Sequence, residues 1–418
     1  MFPYIPAFFL SIDCLYQRDG TVLDPFCGSG TVLLESISNP IRKRNSLGVE
    51  INPLGRLIAK VKTTPLDLEE LTRRKNDLLK SIKSSGSDAR RVVPEFKALD
   101  FWFSRKAVAG LGKVRYCMER EPDDDYKDFF QVCFSSIIRK VARADPFIPP
   151  PVRLRVSKYK GSPEKLRYLR RFLEQTEKPN VLSLFERKVE DNMRAIASLS
   201  EEPEIAEGTV KARVIWDDAR HIRVGRMVEK ARIVKDRSQV LPARSVNLVM
   251  TSPPYLTAQK YIRTHRLEIM WLGLVSEEEV SMLDKDIIGS ERVSAKDVDL
   301  AKRTGVTSVD ALIRQARSTS PGRAATILKY FLDMEQALSE IHRVLSDDSF
   351  AVVVVGDNKV NGRPVRTHAL LTDLACSLGF KVELTLADKI RGRGMISKRH
   401  NSGGLIEREF AICLKKGG

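Results

Sequence analysis

Apolar and polar positions follow two spacings along the chain, and the change from one spacing to the other marks its elements. An apolar run at 21–23 stops at Asp24, a glycine-rich turn follows, and apolar positions at helical spacing begin at Thr31. A second short apolar run at 47–49 ends in the acid Glu50. Strand, turn, helix and strand in this order predict a βαβ unit, which favours a parallel sheet.

The same alternation returns in the second half of the chain. Helices are predicted at 327–345 and around 370–378. Further strands are predicted at 213–216, 245–250, 350–355, 381–386 and 409–414. The whole pattern predicts an α/β fold with a doubly wound, mostly parallel, seven-stranded sheet of the Rossmann-like type.

The segments between the predicted strands differ in composition. Residues 65–205 are helix-rich and charged, and residues 276–325 are polar without a clear period. We therefore predict a core formed by 1–64, 206–275 and 326–418, with a helical basic insertion at 65–205. The stretch 276–325 is predicted to be a polar, mobile insertion.

Charge adds a candidate partner. The chain carries 71 Lys and Arg against 54 Asp and Glu, a formal net charge of +17. Between residues 139 and 188, fourteen basic side chains stand against five acidic ones. An excess of this size favours a polyanionic partner, nucleic acid first, over a soluble protein that happens to be basic.

Other classes of protein are disfavoured by features that the sequence lacks. It has no run of about 18 apolar residues, so no membrane-spanning helix is predicted, and its apolar start lacks the basic leader of a signal peptide. The six cysteines form no CxxC pair, so neither a zinc ribbon nor another metal site is expected. A reducing, cytoplasmic setting fits this use of cysteine.

The turn after the first strand reads DPFCGSGT at 24–31. Small residues there let the backbone approach a ligand closely, and the following helix begins with free backbone N–H groups. Glu50, at the end of the second strand, is placed to accept hydrogen bonds from a ribose diol. A GxG turn alone is an ordinary tight turn, but turn, helix and acid together predict a nucleoside site.

A second motif, TSPPY at 251–255, follows a predicted strand. Two consecutive prolines cannot donate to a sheet ladder, so the strand must end there. The prolines stiffen the loop and leave its carbonyl oxygens free as acceptors beside a hydroxyl and an aromatic ring. Ligands of doubly wound sheets bind at this carboxyl edge, although such a loop on its own is more commonly only a stiffened turn.

LDPFCGSGT and TSPPY resemble motifs I and IV of the class I S-adenosylmethionine-dependent amino-methyltransferases of DNA. TSPPY resembles the version found in cytosine-N4-specific enzymes, whereas adenine-specific relatives more often carry Asp or Asn before the two prolines. The resemblance covers about 20–60 and 210–270, with weaker support from 327–357 and the C-terminal strands. It implies a seven-stranded methyltransferase sheet, S-adenosylmethionine as cofactor, double-stranded DNA as partner, and a cognate restriction endonuclease as a further partner.

The same resemblance implies roles for single residues. Glu50 would hold the ribose of the cofactor, and Asp218 would meet its adenine amino group, with Asp217 as a weaker substitute. The residues that would bind the methionine end of the cofactor are Asp24, Phe26, Gly28, Ser29, Gly30 and Thr31. The catalytic loop would consist of Ser252, Pro253, Pro254 and Tyr255.

The chemistry of the reaction explains these residue types. An exocyclic base amine is a poor nucleophile because its lone pair is delocalised into the ring. Hydrogen bonds from the amine to the Ser252 hydroxyl and the Pro253 carbonyl would localise that lone pair, and positioning would supply much of the rate. Tyr255 would stack on a base flipped out of the helix, a role that needs the ring and not the hydroxyl. No cysteine nucleophile is required, so Cys27 is expected to be a packing residue.

The chain departs from the family pattern in three places. Asn247 stands where relatives often have Asp, and Asp347-Asp348 replaces a glycine-rich turn. The segment that normally packs beside the cofactor is present only in part, at residues 2–7.

The order of the motifs resembles the alpha-type arrangement, in which the segment between them holds the target-recognition region. Basic residues of the insertion would then contact DNA phosphates or bases. The candidates are Arg139, Arg143, Arg153, Arg155, Lys158, Lys160, Arg167, Arg170 and Arg171. The loop 389–400, with Arg391 and Arg393, is a second candidate. For any single residue, a solvated helical face is the alternative.

Three alternative functions stay open. The chain could methylate adenine N6 in DNA, or the guanine amine of a transfer RNA. The transfer-RNA relatives usually carry DPPY and an additional N-terminal RNA-binding domain. It could also be a catalytically silent nucleic-acid-binding module, against which the intact TSPPY motif speaks.

Overall fold

The chain folds into two compact units. The computed structural model describes residues 1–15, 17, 20–86, 92–96, 98–215, 218–223, 240–256, 261–296, 298–360, 363–390 and 408–417. The first unit contains Met1–Thr63, Val210–Tyr261 and Ser281–Gly418. The second unit contains Thr64–Thr209 and Ile262–Val280.

The first unit is built on a seven-stranded sheet. The strands are β1 (Val22–Asp24), β2 (Ser46–Val49), β3 (Ala212–Ile215), β4 (Val246–Thr251), β5 (Leu345–Gly356), β6 (Asn358–Val360), β7 (Arg363–Val365), β8 (Phe380–Lys389) and β9 (Arg408–Lys416). The order in the sheet is β3-β2-β1-β4-β5-β9-β8, while β6 and β7 form a separate antiparallel hairpin.

Pairing in the large sheet confirms the predicted doubly wound fold. From β3 to β5 every neighbouring pair of strands is parallel, and β9 lies antiparallel between β5 and β8. The chain runs outward from β1 to one side of the sheet and outward from β4 to the other. The carboxyl ends of β1 and β4 therefore border the switch point, where ligands of such sheets bind.

Helices flank the sheet and form the second unit. They are α1 (Tyr4–Leu10), α2 (Thr31–Ile37), α3 (Pro53–Thr63), α4 (Leu68–Ser84), α5 (Leu99–Trp102), α6 (Arg105–Met118), α7 (Asp124–Ile138), α8 (Pro163–Glu177), α9 (Val181–Ser200), α10 (Pro203–Ala206), α11 (Tyr261–Thr264), α12 (Arg266–Leu272), α13 (Glu277–Asp286), α14 (Thr307–Thr319), α15 (Pro321–Val344) and α16 (Thr367–Ser377). Two 3-10 turns cover Asp13–Leu15 and Val156–Tyr159. None of the described helices is long and apolar enough to cross a membrane.

The strand β5 shows why the sheet is stable. Val353 and Val355 face the apolar cluster that includes α15, whereas Val352 and Val354 face the cluster that includes α1. Successive side chains of a strand point to opposite faces, so a run of valines buries both faces. This explains the continuous apolar run that the sequence shows at 350–355.

The stretch 276–325 contains regular structure that its polar sequence did not indicate. It includes α13, α14 and the start of α15. Val309, Ile313 and Ala316 of α14 are buried in the main core of the first unit. Their spacing of four and three residues is helical, but the polar residues between them hid this narrow stripe.

The structure shows the surroundings of two residues that depart from the family pattern, Asn247 and Asp348. Asn247 Oδ1 accepts a hydrogen bond from the Thr21 N–H at 3.0 Å, and Asn247 Nδ2 donates to Gln17 Oε1 at 2.6 Å. Asp348 has a φ of +58°, the left-handed conformation that glycine adopts most readily. Asn247 thus anchors β4 to the segment before β1, and Asp348 adopts a backbone conformation that favours glycine.

The second unit has an aromatic core. Trp271 of α12 is fully buried, with its ring 5.6 Å from that of Phe103 and 6.3 Å from that of Phe134. These distances are typical of edge-to-face packing, which stabilises a helical core beyond simple burial. Trp271 is thus a packing residue.

Candidate active site

The two sequence motifs meet at the carboxyl ends of β1 and β4. The Thr251 hydroxyl donates a hydrogen bond to Asp24 Oδ1 at 2.5 Å, and the Phe26 N–H donates to the same oxygen at 3.1 Å. Asp24 is buried, and burial raises its pKa from 3.8 to about 6 although both hydrogen bonds lower it. A single buried carboxyl group thus connects the glycine-rich turn to the strand that carries TSPPY.

The two glycines of the turn have different structural tasks. Gly28 has a φ of +53°, and a Cβ at this position would have no protein atom within 4 Å. Gly30 has a φ of +75°, but its Cβ would lie 2.9 Å from Ala59 Cβ on α3. Gly28 therefore borders open space where a ligand can approach the backbone, whereas Gly30 lets α3 pack against the turn.

Glu50 follows β2 and is held by backbone donors. Its Oε2 accepts from the Gly28 N–H and its Oε1 from the Asn52 N–H, both at 2.7 Å. Removal of water by the surrounding protein raises the pKa of Glu50 from 4.5 to about 7, and the backbone hydrogen bonds offset part of that rise. Each carboxyl oxygen has a second lone pair, so Glu50 keeps acceptor capacity for the hydroxyl groups of a ligand.

Asn52 also shapes the site, and the sequence interpretation missed it. Its Oδ1 accepts from the N–H groups of Leu54 and Gly55 at 3.0 and 3.3 Å, which caps α3. A Cβ on Gly55 would lie 3.1 Å from Glu50 Cγ and 3.2 Å from the Gly28 carbonyl oxygen. The available signal was an asparagine followed by proline, a typical helix start.

The loop after β4 offers two neighbouring hydrogen-bond acceptors. Ser252 is partly exposed and lies near the Tyr255 phenol, whose pKa it lowers. The Pro253 carbonyl oxygen accepts no hydrogen bond from the residues that the structure describes. Pro254 has no N–H and cannot continue the hydrogen-bond ladder of β4. The acceptors of the loop are therefore not paired with a neighbouring strand.

Tyr255, predicted to stack on a base, is mostly buried in the structure. Only 9% of its surface is exposed, and its ring belongs to the main core of the first unit. Its hydroxyl donates to Glu409 Oε1 at 2.7 Å. Burial, followed by the charge of Glu409, raises the pKa of Tyr255 far above its ordinary value. The hydroxyl, which stacking does not need, thus has a buried partner, and the stacking of a base on this ring stays a prediction.

Asp218 is placed after β3, and an ion pair occupies both of its carboxyl oxygens. Arg220 Nε lies 3.0 Å from Asp218 Oδ1, and Arg220 Nη2 lies 2.5 Å from Asp218 Oδ2. Arg220 Nη1 also donates to Asp333 of α15 at 3.0 Å. The carboxyl group of Asp218 is therefore fixed but remains 22% exposed, and its contact with an adenine amino group stays a prediction. Asp217 lies outside the described residues.

The other residues of the first motif are close by. Phe26 is partly buried against the main core, Ser29 is exposed, and Thr31 is the first residue of α2. Cys27 is buried, and burial raises the pKa of its thiol well above the ordinary value. Its Sγ would lie 2.7 Å from a Cβ on Gly48. Cys27 is thus an unreactive residue packed tightly against β2.

In the second unit, an aromatic cluster joins α8 to the segment before it. The ring of Phe147 lies 5.6 Å from that of Tyr159 and 5.7 Å from that of Tyr168, which stacks on Phe172 at 6.3 Å. The Tyr159 hydroxyl donates to Oδ2 of the fully buried Asp145 at 2.8 Å. These contacts fix the 3-10 turn before α8 against that helix.

Most of the predicted DNA-binding cations lie on this part of the second unit. Six of them are exposed and have no ion-pair partner within the described ranges, namely Arg155, Lys158, Lys160, Arg167, Arg170 and Arg171. Arg167, Arg170 and Arg171 follow one another at spacings of three and one, so they lie close together on α8. We call these six residues the α8 cation surface.

Three other predicted cations are used internally. The guanidinium of Arg153 donates to the Phe101 carbonyl and lies 5.1 Å from the ring of Phe101. Arg143 pairs with Glu177 at 2.7 Å, and Arg139 donates to the Ile148 carbonyl at 2.8 Å. These contacts hold the second unit together, so we do not assign the three residues to DNA. Arg391 and Arg393 lie outside the described residues.

Comparison with known proteins adds a relationship in sequence. No protein-family model matches the chain. The chain is 26% identical over 371 residues to the type II methyltransferase M.MvaI of Kocuria varians, which covers 84% of this chain and 73% of that protein. It is 39% identical over 106 residues to the type II methyltransferase M.MjaII of Methanocaldococcus jannaschii, which covers 25% of this chain and 19% of that protein.

Among solved structures, one match is a TehB-like SAM-dependent methyltransferase from Corynebacterium glutamicum. It is 10% identical, covers 99% of this chain and 88% of that chain, and has a TM-score of 0.28. A score this low adds nothing to the strand order described above. The similarity to M.MvaI extends over most of the chain. Together with the Rossmann-like sheet and the two motifs at its switch point, it supports a methyltransferase that uses S-adenosylmethionine.

Proposed function

We propose that this chain is a DNA methyltransferase that transfers a methyl group from S-adenosylmethionine to the 4-amino group of cytosine in a specific DNA sequence. One observation carries the proposal: the hydrogen bond between Asp24 and Thr251 brings the nucleoside motif and TSPPY together at the switch point. A cofactor and a base bound at these two motifs would therefore be neighbours. The similarity to type II methyltransferases supports the same activity.

The residues around the glycine turn fit the cofactor. A side chain at Gly28 would project into open space, so the space beside this backbone is available to a ligand. The partly satisfied carboxyl group of Glu50 suits the two ribose hydroxyls, and Asp24, Phe26, Ser29, Gly30 and Thr31 would surround the methionine end. Asp218 would meet the adenine. When bound, S-adenosylmethionine supplies an electrophilic methyl group.

The residues of the catalytic loop would orient the base amine. The Ser252 hydroxyl and the Pro253 carbonyl are adjacent acceptors, so an amine that donates to both keeps its lone pair out of the ring system. Pro254 keeps the loop stiff, and fixed geometry lowers the entropic part of the barrier. No general base with a pKa near 7 is required, because the amine becomes acidic once it is alkylated.

Serine before the two prolines favours cytosine as the base. The second candidate is adenine N6, because relatives with either specificity use the same pair of acceptors. In the adenine enzymes, however, Asp or Asn is more common before the two prolines. The serine before the two prolines supports cytosine more than adenine, and product analysis decides between them.

The α8 cation surface is proposed to bind the phosphates of double-stranded DNA. Its six exposed cations lack ion-pair partners among the described residues, so they are available to displace condensed counterions. A restriction–modification system with a cognate endonuclease belongs to this proposal because the motif resemblance implies it, and the use of cysteine favours the cytoplasm.

The test is mass spectrometry of nucleosides from DNA of cells that express the protein. We expect 4-methylcytosine with the wild-type chain and much less of it with the Ser252→Ala variant at equal expression. Only 6-methyladenine would correct the base, and methylguanosine in transfer RNA would correct the substrate. Absence of any new methylated nucleoside would favour a silent binding module.

A further inference from the structure

Two exposed aromatic rings lie side by side where α1 begins. Phe2 is 46% exposed, and Tyr4, the first residue of α1, is 56% exposed. Their ring centroids are 5.9 Å apart and the ring planes are inclined by 13°, so the two rings are stacked. Pro3 stands between them with a φ of −57°, which fixes the backbone that carries both rings. Each ring of such a pair keeps one face that the other ring does not cover.

The ring of Tyr4 is anchored to the sheet. Its hydroxyl donates a hydrogen bond to Asp388 Oδ2 at 2.5 Å, and Asp388 is the last residue but one of β8. This hydrogen bond, more than burial, raises the pKa of Tyr4 to about 12, so the phenol is uncharged at neutral pH. An exposed ring that is already held in place loses little conformational freedom when a flat ligand stacks on it.

The anchor of Tyr4 lies beside the residue that holds the catalytic loop. Asp388 pairs in the sheet with Glu409 of β9, and Glu409 Oε1 accepts a hydrogen bond from the Tyr255 hydroxyl at 2.7 Å. Both β8 and β5 run antiparallel to β9, and β4 is parallel to β5, so the carboxyl ends of β8 and β4 lie at the same edge of the sheet. Two acids on neighbouring strands therefore hold Tyr4 and Tyr255 at this edge.

This position separates the aromatic pair from the glycine-rich turn. In the order of the sheet, β8 is four strands away from β1. Neighbouring strands are about 4.8 Å apart, so the hydroxyl of Tyr4 is bound about 19 Å across the sheet from the strand that precedes the turn. In relatives the segment before the first strand packs beside the cofactor. Here the anchor of Tyr4 lies on the other side of TSPPY, which favours a ligand other than the cofactor.

The surroundings of the two rings favour a neutral, flat ligand. The carboxyl group of Asp388 beside Tyr4 would repel a phosphate, in contrast to the α8 cation surface. The faces of nucleobases are uncharged, and aromatic side chains bind them by stacking with little regard to sequence. A base that is turned out of the duplex exposes both of its faces, and enzymes that modify a base in DNA produce such a base.

We propose that Phe2 and Tyr4 form a stacking surface for a nucleobase that is turned out of double-stranded DNA. The inference rests on the proposed function and adds to it a base-binding site that lies in neither motif. It supplies exposed aromatic rings at the edge of the sheet where the ring of Tyr255 is mostly buried.

The experiment compares the affinity of the protein for two DNA duplexes of one sequence, one fully paired and one with a single bulged 2-aminopurine nucleotide. The bulge presents an unpaired base whatever the recognition sequence is, and stacking on an aromatic ring quenches its fluorescence. We expect the wild-type protein to prefer the bulged duplex and to quench the base. Replacing Phe2 and Tyr4 together with Ala should lower the affinity for the bulged duplex about 5- to 100-fold and leave the affinity for the paired duplex unchanged. Tyr4→Phe keeps the ring and should have a smaller effect.

The matched control is Phe8→Ala. Phe8 is 55% exposed and lies one helical turn after Tyr4 on α1, where its ring packs edge to face on Phe9 at 5.1 Å. The control removes an equally exposed ring from the same helix, so the preference for the bulged duplex should remain. The midpoint of thermal unfolding is measured for every variant. If the double variant does not fold, Phe2→Ala decides by the same comparison, because Phe2 precedes the helix.

Three outcomes would overturn the proposal. One is the absence of a preference for the bulged duplex in the wild-type protein, or an unchanged preference in the double variant. Another is a loss of affinity for S-adenosylmethionine with the preference retained, which would assign the rings to the cofactor. The third is a change from dimer to monomer in sedimentation with the preference retained, which would make the rings a contact between two copies of the chain.

Nucleoside analysis keeps this test separate from that of the proposed function. A chain that methylates DNA but shows no role for Phe2 and Tyr4 in binding the bulged duplex would keep the proposed function and lose the stacking surface. A chain that methylates no DNA, yet loses its preference for the bulged duplex in the double variant, would keep the stacking surface and lose the proposed function.

Discussion

The strand ends of the first unit and the α8 cation surface of the second unit use polar side chains in opposite ways. Asp24 and Glu50 each accept at least two hydrogen bonds, and loss of water raises their pKa to about 6 and about 7. Arg167, Arg170 and Arg171 are exposed and have no ion-pair partner in the described part of the chain.

This difference predicts how each region responds to change. A buried group depends on each of its neighbours, so a single substitution there should have a large and specific effect. Exposed charges act mainly through their number and are screened by salt. Substitutions on α8 should therefore have small effects that accumulate and that depend on ionic strength.

The largest effect is expected from Gly28→Val. The side chain would fill the open space beside the turn, so affinity for S-adenosylmethionine should fall about 100-fold or more, measured by calorimetry. The control is Gly208→Val in the second unit, because Gly208 also has a positive φ, +74°, with no atom within 4 Å of a Cβ. Both variants carry the strain of a left-handed valine, but only the first should lose the cofactor. Equal affinities would move the cofactor away from this turn.

The next largest effect concerns the catalytic loop. Ser252→Ala removes one acceptor for the base amine, so the methyl-transfer rate should fall about 10- to 1000-fold, as after loss of one transition-state hydrogen bond. Cofactor affinity should stay near the wild-type value. Ser245→Ala is the control, since Ser245 precedes the same strand and its hydroxyl donates only to the Pro242 carbonyl among the described groups. Single-turnover rates that are the same for both variants would remove this loop from the active site.

A smaller effect is expected from pH. Glu50 has its pKa raised from 4.5 to about 7, and ribose hydroxyls donate to its ionised form. Affinity for S-adenosylmethionine should therefore fall about 10-fold per pH unit at most as the pH drops below about 7, and should level off above it. Glu50→Gln should bind weakly at every pH. Affinity that rises toward acid would contradict the role of Glu50.

The cofactor-free protein should show the opposite trend. An acid whose pKa is raised by folding binds more protons in the folded state than in the unfolded state, so stability falls as the pH rises between 4.5 and about 7. The midpoints of thermal unfolding measured without and with S-adenosylmethionine should therefore move apart as the pH increases from 4.5 to about 7.

The smallest single effects are expected on α8. Replacing Arg167, Arg170 and Arg171 together with Ala should reduce the slope of log affinity for duplex DNA against log salt by about 2 to 3, because each phosphate contact contributes about 0.9. Each single replacement should change the slope by less than about 1. The control removes the same charge from the first unit, at Lys296, Lys302 and Arg303. If the control flattens the slope and the α8 variant does not, the DNA surface lies elsewhere.

The sheet and the two motifs could be predicted because their signals are local. A run of valines that ends at Gly356 predicts a buried strand, and the proline pair of TSPPY must end a strand. Neither prediction depends on tertiary contacts. Because β1 and β4 are parallel neighbours, the motifs that follow them lie at the same edge of the sheet. The helix α14 within 276–325 was missed because its apolar stripe is only one residue wide per turn.

The choice among chemically equivalent residues could not be predicted. Arg153 and Arg155 are two positions apart and look alike in the sequence, yet only Arg153 is bound to a backbone carbonyl. Residues 262–280 follow the catalytic loop in sequence, but they belong to the second unit. Each of these outcomes depends on which partner is near in space.

By itself, the sequence determined the type of sheet, the turn with Gly28, the acid at Glu50 and the acceptor pair at Ser252 and Pro253. Spacing, glycine and proline act on the backbone within a few residues, so their consequences can be read locally. Only the tertiary structure decided that Thr251 contacts Asp24, 227 residues away, and that Tyr255 contacts Glu409, 154 residues away. Such contacts arise from the order and register of strands, which no local pattern contains.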